Sequence, residues 1–115
     1  MISSELNRIL IDNFPNLRDE YLKELCWQEG DATGSHTVYG DVFTPYLTGC
    51  IVKDSKEEVK TALDFLEKLL GMNDGYVDEV VYFSVLESIA YLFKEKAYLA
   101  SLLGAKCQKA IEEIA

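Results

Sequence analysis

His36 is the only histidine in the chain, and it stands five residues before Asp41. An imidazole beside a carboxylate is the pairing from which a general base, or part of a metal site, is built. Zinc wants three or four ligands from His, Cys and carboxylate, and nothing near this pair supplies the rest at recognisable spacing. Cys26, Cys50 and Cys107 are far apart, form no CxxC pair and fall at or beside apolar helical positions, where a reduced thiol packs as a small hydrophobe. No serine sits in a GxSxG elbow, and no glycine run resembles a phosphate loop. Catalysis would require the fold to bring His36, Asp41 and Glu87 into one pocket. The residue types favour a protein that is not an enzyme and carries no cofactor or metal.

The carboxylates say more. Of twenty, eight lie in two stretches without a single Lys or Arg, and together these account for nearly all of the formal charge of -9. Between Lys23 and Lys53 stand Glu24, Glu29, Asp31 and Asp41; between Lys68 and Lys94 stand Asp74, Asp78, Glu79 and Glu87. The same stretches hold Trp27, Tyr39, Tyr46, Tyr76 and Tyr82. Acid concentrated beside aromatic rings makes a patch suited to a basic protein. The expected contact residues are Trp27, Glu29, Asp31, His36, Tyr39 and Asp41 from the first stretch, with Asp74, Tyr76, Asp78 and Glu79 from the second. Two plainer uses stay open: a solvated face, and, for Asp74 or Asp78, stabilisation of a helix N-terminus. Glu87, in SVLESI on a segment otherwise apolar nearly all round, is expected to bond another helix in a buried or half-buried setting.

Such a charge balance disfavours some partners. Nucleic-acid binding depends on Lys and Arg neutralising phosphates, and an anionic membrane surface repels acid in the same way. No apolar run approaches the roughly 20 residues that span a bilayer. The opening MISSELNRIL lacks the basic-then-apolar layout of a signal peptide, so a cytoplasmic address is expected. With 115 residues, 49% of them hydrophobic, the chain suits one domain, residues 1–115, with a single core; a monomer is favoured.

The elements that must position these residues read as helices. From about Lys56 to Leu70, Val59, Leu63, Leu66 and Leu70, flanked by Ala62 and Leu69, form one stripe. Ser55 with Glu58 predicts a capping box, and Gly71 a left-handed stop. After the turn signal Asn73-Asp74-Gly75, residues 78–94 place Val81, Val85, Ile89 and Leu92 on one line, while Val80, Tyr82, Phe83, Leu86 and Phe93 cover other faces, which marks a central helix. Ser3 or Ser4 can cap a helix bearing Leu6, Ile9 and Leu10; Phe14-Pro15-Asn16 interrupts it, and a second helix follows to about Gln28. Gly30 to Ser35 is a loop. From His36 to Val52 the pattern leans to helix, with a kink or restart at Thr44-Pro45. Two more short helices divide near Gly104. The prediction is therefore all-α: about eight short helices packed as antiparallel hairpins.

Five stretches then carry a family likeness: FPNLRDEY (Phe14 to Tyr21), HTVYGDVFTPYL (His36 to Leu47), DFLEKLL (Asp64 to Leu70), VLESI (Val85 to Ile89) and LLGAKCQKAIEEI (Leu102 to Ile114). In their order the chain resembles small all-helical, HEAT-like bacterial domains of unknown function, some of them immunity proteins of toxin–immunity systems such as contact-dependent growth inhibition. The resemblance implies a single helical domain that binds and silences a cognate toxin, with a basic, nuclease-type toxin domain as partner. A helical adaptor for an endogenous protein is the alternative of a different class.

Overall fold

In a computed structural model of the protein, residues 1–27 and 34–114 are described, Cys26 and Trp27 by their backbone alone. The described residues form eight helices and no strand. These are α1 (Ser3–Asn13), α2 (Arg18–Trp27), α3 (residues 35–52), α4 (Lys56–Leu70), α5 (residues 75–89), α6 (Leu92–Glu95), α7 (Tyr98–Ser101) and α8 (Ala105–Ile114). Their radius of gyration is 13.5 Å, close to the ~13 Å of one compact domain of this length. None of the described helices is long and apolar enough to cross a membrane.

Local chemistry explains most of the boundaries. Phe14, held off helical geometry by the following proline, ends α1 (φ -131°, ψ 71°), and a 3-10 turn at Pro15–Leu17 leads into α2. α4 keeps the predicted bounds, but its ends are made differently. Ser55 occupies the N-cap position without a side-chain capping bond, and Gly71 stays in the right-handed region (φ -74°). The left-handed turn residues are Asp54 (φ 56°) and Asn73 (φ 55°), types whose short polar side chains tolerate that geometry. Ser3 does not cap α1 either. It is the first helical residue, and its hydroxyl bonds Tyr76 Oη at 2.6 Å.

Both α3 and α5 carry a π turn, at Tyr39–Phe43 and at Val80–Leu86. Buried residues here recur at a spacing of five: Val38 with Phe43, Val80 with Val85, Val81 with Leu86. A π turn, bonded i to i+5, brings such pairs onto one face where an α-helix would rotate them apart. The expected restart at Thr44-Pro45 is the seam between the first π turn and the α-helix Thr44–Val52. α5 starts three residues earlier than predicted and ends at Ile89, before a turn at Ala90 and Tyr91.

Helix order in space follows from which residues meet. Ser3 meets Ser35, Leu6 meets Tyr39 and Phe14 meets Phe43, so α1 runs parallel to α3. His36 meets Tyr76, Thr44 meets Ser84, and Thr44–Val52 packs on Glu87–Ile89, so α3 runs parallel to α5. α4, joined to both by short turns, returns the chain between them and packs on α3, α5 and α8. At the centre an aromatic cluster of Phe14, Phe43 and Phe65 has ring centroids 5.1 to 5.7 Å apart.

Candidate functional site

The seam between α3 and α5 is built from small polar side chains. Gly40 faces Ser84 across it: a Cβ at position 40 would meet the Ser84 carbonyl oxygen at an ordinary contact distance of 3.7 Å. One turn on, Thr44 Oγ1 donates to the same carbonyl at 2.8 Å. One turn back, His36 Nδ1 and Ser84 Oγ share a hydrogen bond of 2.7 Å, and the imidazole meets the Tyr76 ring edge to face at 5.8 Å.

On the solvent side of this seam lie acid and exposed apolar surface. Asp41 follows Gly40 directly and is exposed. On α5, Glu79, Phe83 and Glu87 recur every four residues, and all are exposed, Phe83 by 57%. Tyr91, 55% exposed, continues the line past the helix end. Residues 35–52 and 75–89 contain no Lys or Arg, and among the described residues Asp41, Glu79 and Glu87 enter no ion pair. Asp41 of the first acidic stretch and Glu79 and Glu87 of the second, far apart in sequence, thus share a face.

Not every expected contact residue joins it. Tyr39 is fully buried in the core, with Oη donating to the Leu6 carbonyl at 2.7 Å, and burial pushes its phenol pKa well up. It cannot serve as a surface anchor. Tyr76 is half-buried, and its hydroxyl is committed to Ser3 Oγ at 2.6 Å and to the Ser35 N–H at 3.3 Å. Asp74 is the N-cap of α5: Oδ1 accepts from the N–H groups of Tyr76 (3.0 Å) and Val77 (3.2 Å), and Oδ2 pairs with the Met1 ammonium at 2.5 Å. That ammonium first, and the Val77 N–H second, hold its carboxyl below the usual range. Asp78 is exposed but lines a different groove with Tyr82, opposite Lys106 and Lys109 of α8. Glu29 and Asp31 lie outside the described residues, as does the Trp27 side chain.

Glu87 corrects the opposite way. Expected in a buried bond to another helix, it is exposed. Phe83, counted as covering an inner face, is exposed too, because the π turn gives the inward positions to Val80, Val81, Val85 and Leu86. The i, i+4, i+8 run of Glu79, Phe83 and Glu87 was the available signal for both.

The arrangement offers an exposed acidic and aromatic surface over a polar helix seam. A serine and an imidazole 2.7 Å apart have the contact that a nucleophile and its base require. Among the described residues, however, no carboxylate bonds that imidazole, and Asp41 and Glu87 face solvent on separate helices. The pair clasps α3 to α5. No group of three His, Cys, Asp or Glu side chains able to hold a metal occurs among the described residues. Cys107 is buried, its thiol pushed up to about 12 by burial and, secondarily, by the Glu67 carboxylate. Burial likewise raises Cys50, whose Sγ lies 3.4 Å from Glu58 Oε2. Both are poor nucleophiles.

Comparison with known proteins gives a family without an assigned activity. No curated protein and no solved structure matches the chain. One family model, described as a domain of unknown function, DUF7674, matches residues 7–115. A match over nearly the whole chain makes this protein a member of the DUF7674 family.

Proposed function

We propose that the α3–α5 face docks a basic protein, and that the chain is an immunity-type inhibitor that occludes the active site of a basic, nuclease-type bacterial toxin domain in the cytoplasm. The observation that carries this reading is that exposed Asp41 on α3 and exposed Glu79 and Glu87 on the adjoining α5 lie on two helices without Lys or Arg, beside exposed Phe83 and Tyr91. Nucleases grip phosphate backbones with basic clefts, so an acidic face meets them with complementary potential. Charge of this kind speeds encounter, while exposed aromatic side chains supply the apolar contact that slows escape.

The test uses the toxin domain encoded beside this chain's gene. Co-expression should rescue cells, and the purified pair should associate more slowly as salt rises. Neutralising the face with D41N, E79Q and E87Q together should cut the association rate roughly tenfold or more at low salt, whereas F83A should mainly speed dissociation. An association rate indifferent to salt, or one unchanged in the triple variant, sinks the docking face. Binding to an endogenous basic protein without rescue would move the reading to an adaptor.

A further inference from the structure

A second concavity lies away from the acidic face. It is a groove of about 620 Å³ between α1 and α2, walled by Arg8, Ile11 and Asp12 on one side and Arg18, Tyr21 and Leu22 on the other. The chain has nine lysines and only two arginines, and both arginines stand in this groove, one on each wall. The three lysine side-chain ion pairs among the described residues belong to Lys23, Lys60 and Lys96; neither Arg8 nor Arg18 has an ion pair or hydrogen bond there. Two arginines without a partner among the described residues thus line one concavity of a protein whose net charge is -9.

We infer that the α1–α2 groove binds a small organic oxyanion, a carboxylate or phosphate monoester, carried on an aromatic body. The guanidinium fork matches these anions with paired hydrogen bonds in a way lysine does not. Ile11 and Tyr21 are half-buried and Leu22 is 43% exposed, so apolar surface lies beside the charge. The volume falls within the roughly 300–1,000 Å³ of small-molecule sites. Asp12 on the same wall repels a bare polyanion and accepts from a ligand that also carries an N–H or O–H donor, which weighs against a nucleic-acid strand.

The experiment titrates the whole protein at low ionic strength with phenyl phosphate and with benzoate, following the arginine Nε–H signals by NMR, with inorganic phosphate and benzyl alcohol as the two halves of the ligand. At least one aromatic oxyanion should saturate the Arg8 and Arg18 signals at a concentration roughly tenfold or more below that of inorganic phosphate. R8K and R18K should each raise the half-saturation by about tenfold while leaving the melting temperature unchanged, since both side chains are exposed. Whichever of the two aromatic probes binds identifies the oxyanion. The inference is overturned if neither saturates, if inorganic phosphate does as well, or if binding survives both substitutions.

Discussion

His36 on α3 and Ser84 on α5 are joined across the helix seam by a 2.7 Å hydrogen bond, and Thr44 donates to the carbonyl of that same Ser84 at 2.8 Å. One residue of α5 therefore holds two turns of α3, and both helices widen into a π turn where they meet. T44V should cost about 1 kcal/mol in thermal or urea melts, because it removes a nearly buried donor from the Ser84 carbonyl. S84A should cost less, since that backbone bond survives. G40A should stabilise by about 0.5–1 kcal/mol, because its methyl meets Ser84 at ordinary contact distance and a mid-helix glycine is entropically costly. G40V, which adds two further methyls in the seam, should reverse the sign.

Glu67 reaches from α4 to cap α8. Its carboxylate accepts from the N–H of Lys106 at 3.1 Å and of Cys107 at 2.9 Å. A Cβ at Gly104 would lie 2.5 Å from that same side chain, so the glycine is the space the cap occupies. E67A and G104A should each destabilise by about 1 kcal/mol. In a double-mutant cycle the G104A penalty should largely vanish on the E67A background; full additivity would refute the coupling.

Asp74 makes stability depend on acid. Its carboxyl pKa is lower in the folded chain than in the unfolded one, so the folded state favours the charged form. The sign follows from linkage: this contribution is fully present above the ordinary Asp value of about 3.9 and is lost as pH falls through the depressed folded value. D74N keeps a capping oxygen but not the charge. It should melt below the parent at neutral pH, and the two curves should converge in strong acid. A difference that persists unchanged in acid would assign the effect to something other than this titration.

Cys107 should resist alkylation in the folded state at mildly alkaline pH, where a thiol held near 12 supplies almost no thiolate. Mass spectrometry after iodoacetamide treatment should find it labelled only once the chain is unfolded, with Cys50 also slowed. Rapid labelling of native Cys107 would contradict the packing described above.

Much of this was legible residue by residue. Val59, Leu63 and Leu66 recur at helical spacing, and that stripe is the buried face of α4. Pro15 after Phe14 marks the break between α1 and α2. The two stretches without Lys or Arg are visible as bare counts. Such features are local: periodicity, caps and charge depend on neighbours a few positions away. Tyr39, by contrast, reads as a surface contact and Phe83 as part of a packed helix face, and the fold reversed their parts.

What the sequence determined by itself, then, is an all-helical chain with segregated acid and enough apolar stripe for one core. Tertiary structure decided the rest: that α3 and α5 lie side by side, that Asp41, Glu79 and Glu87 share a face while Asp74 and Asp78 leave it, and that Arg8 and Arg18 stand on opposite walls of one groove. The physical reason is the range of the forces involved. Helix formation is settled within a turn or two, whereas which helix faces which is set by packing between residues such as Gly40 and Ser84, forty-four positions apart.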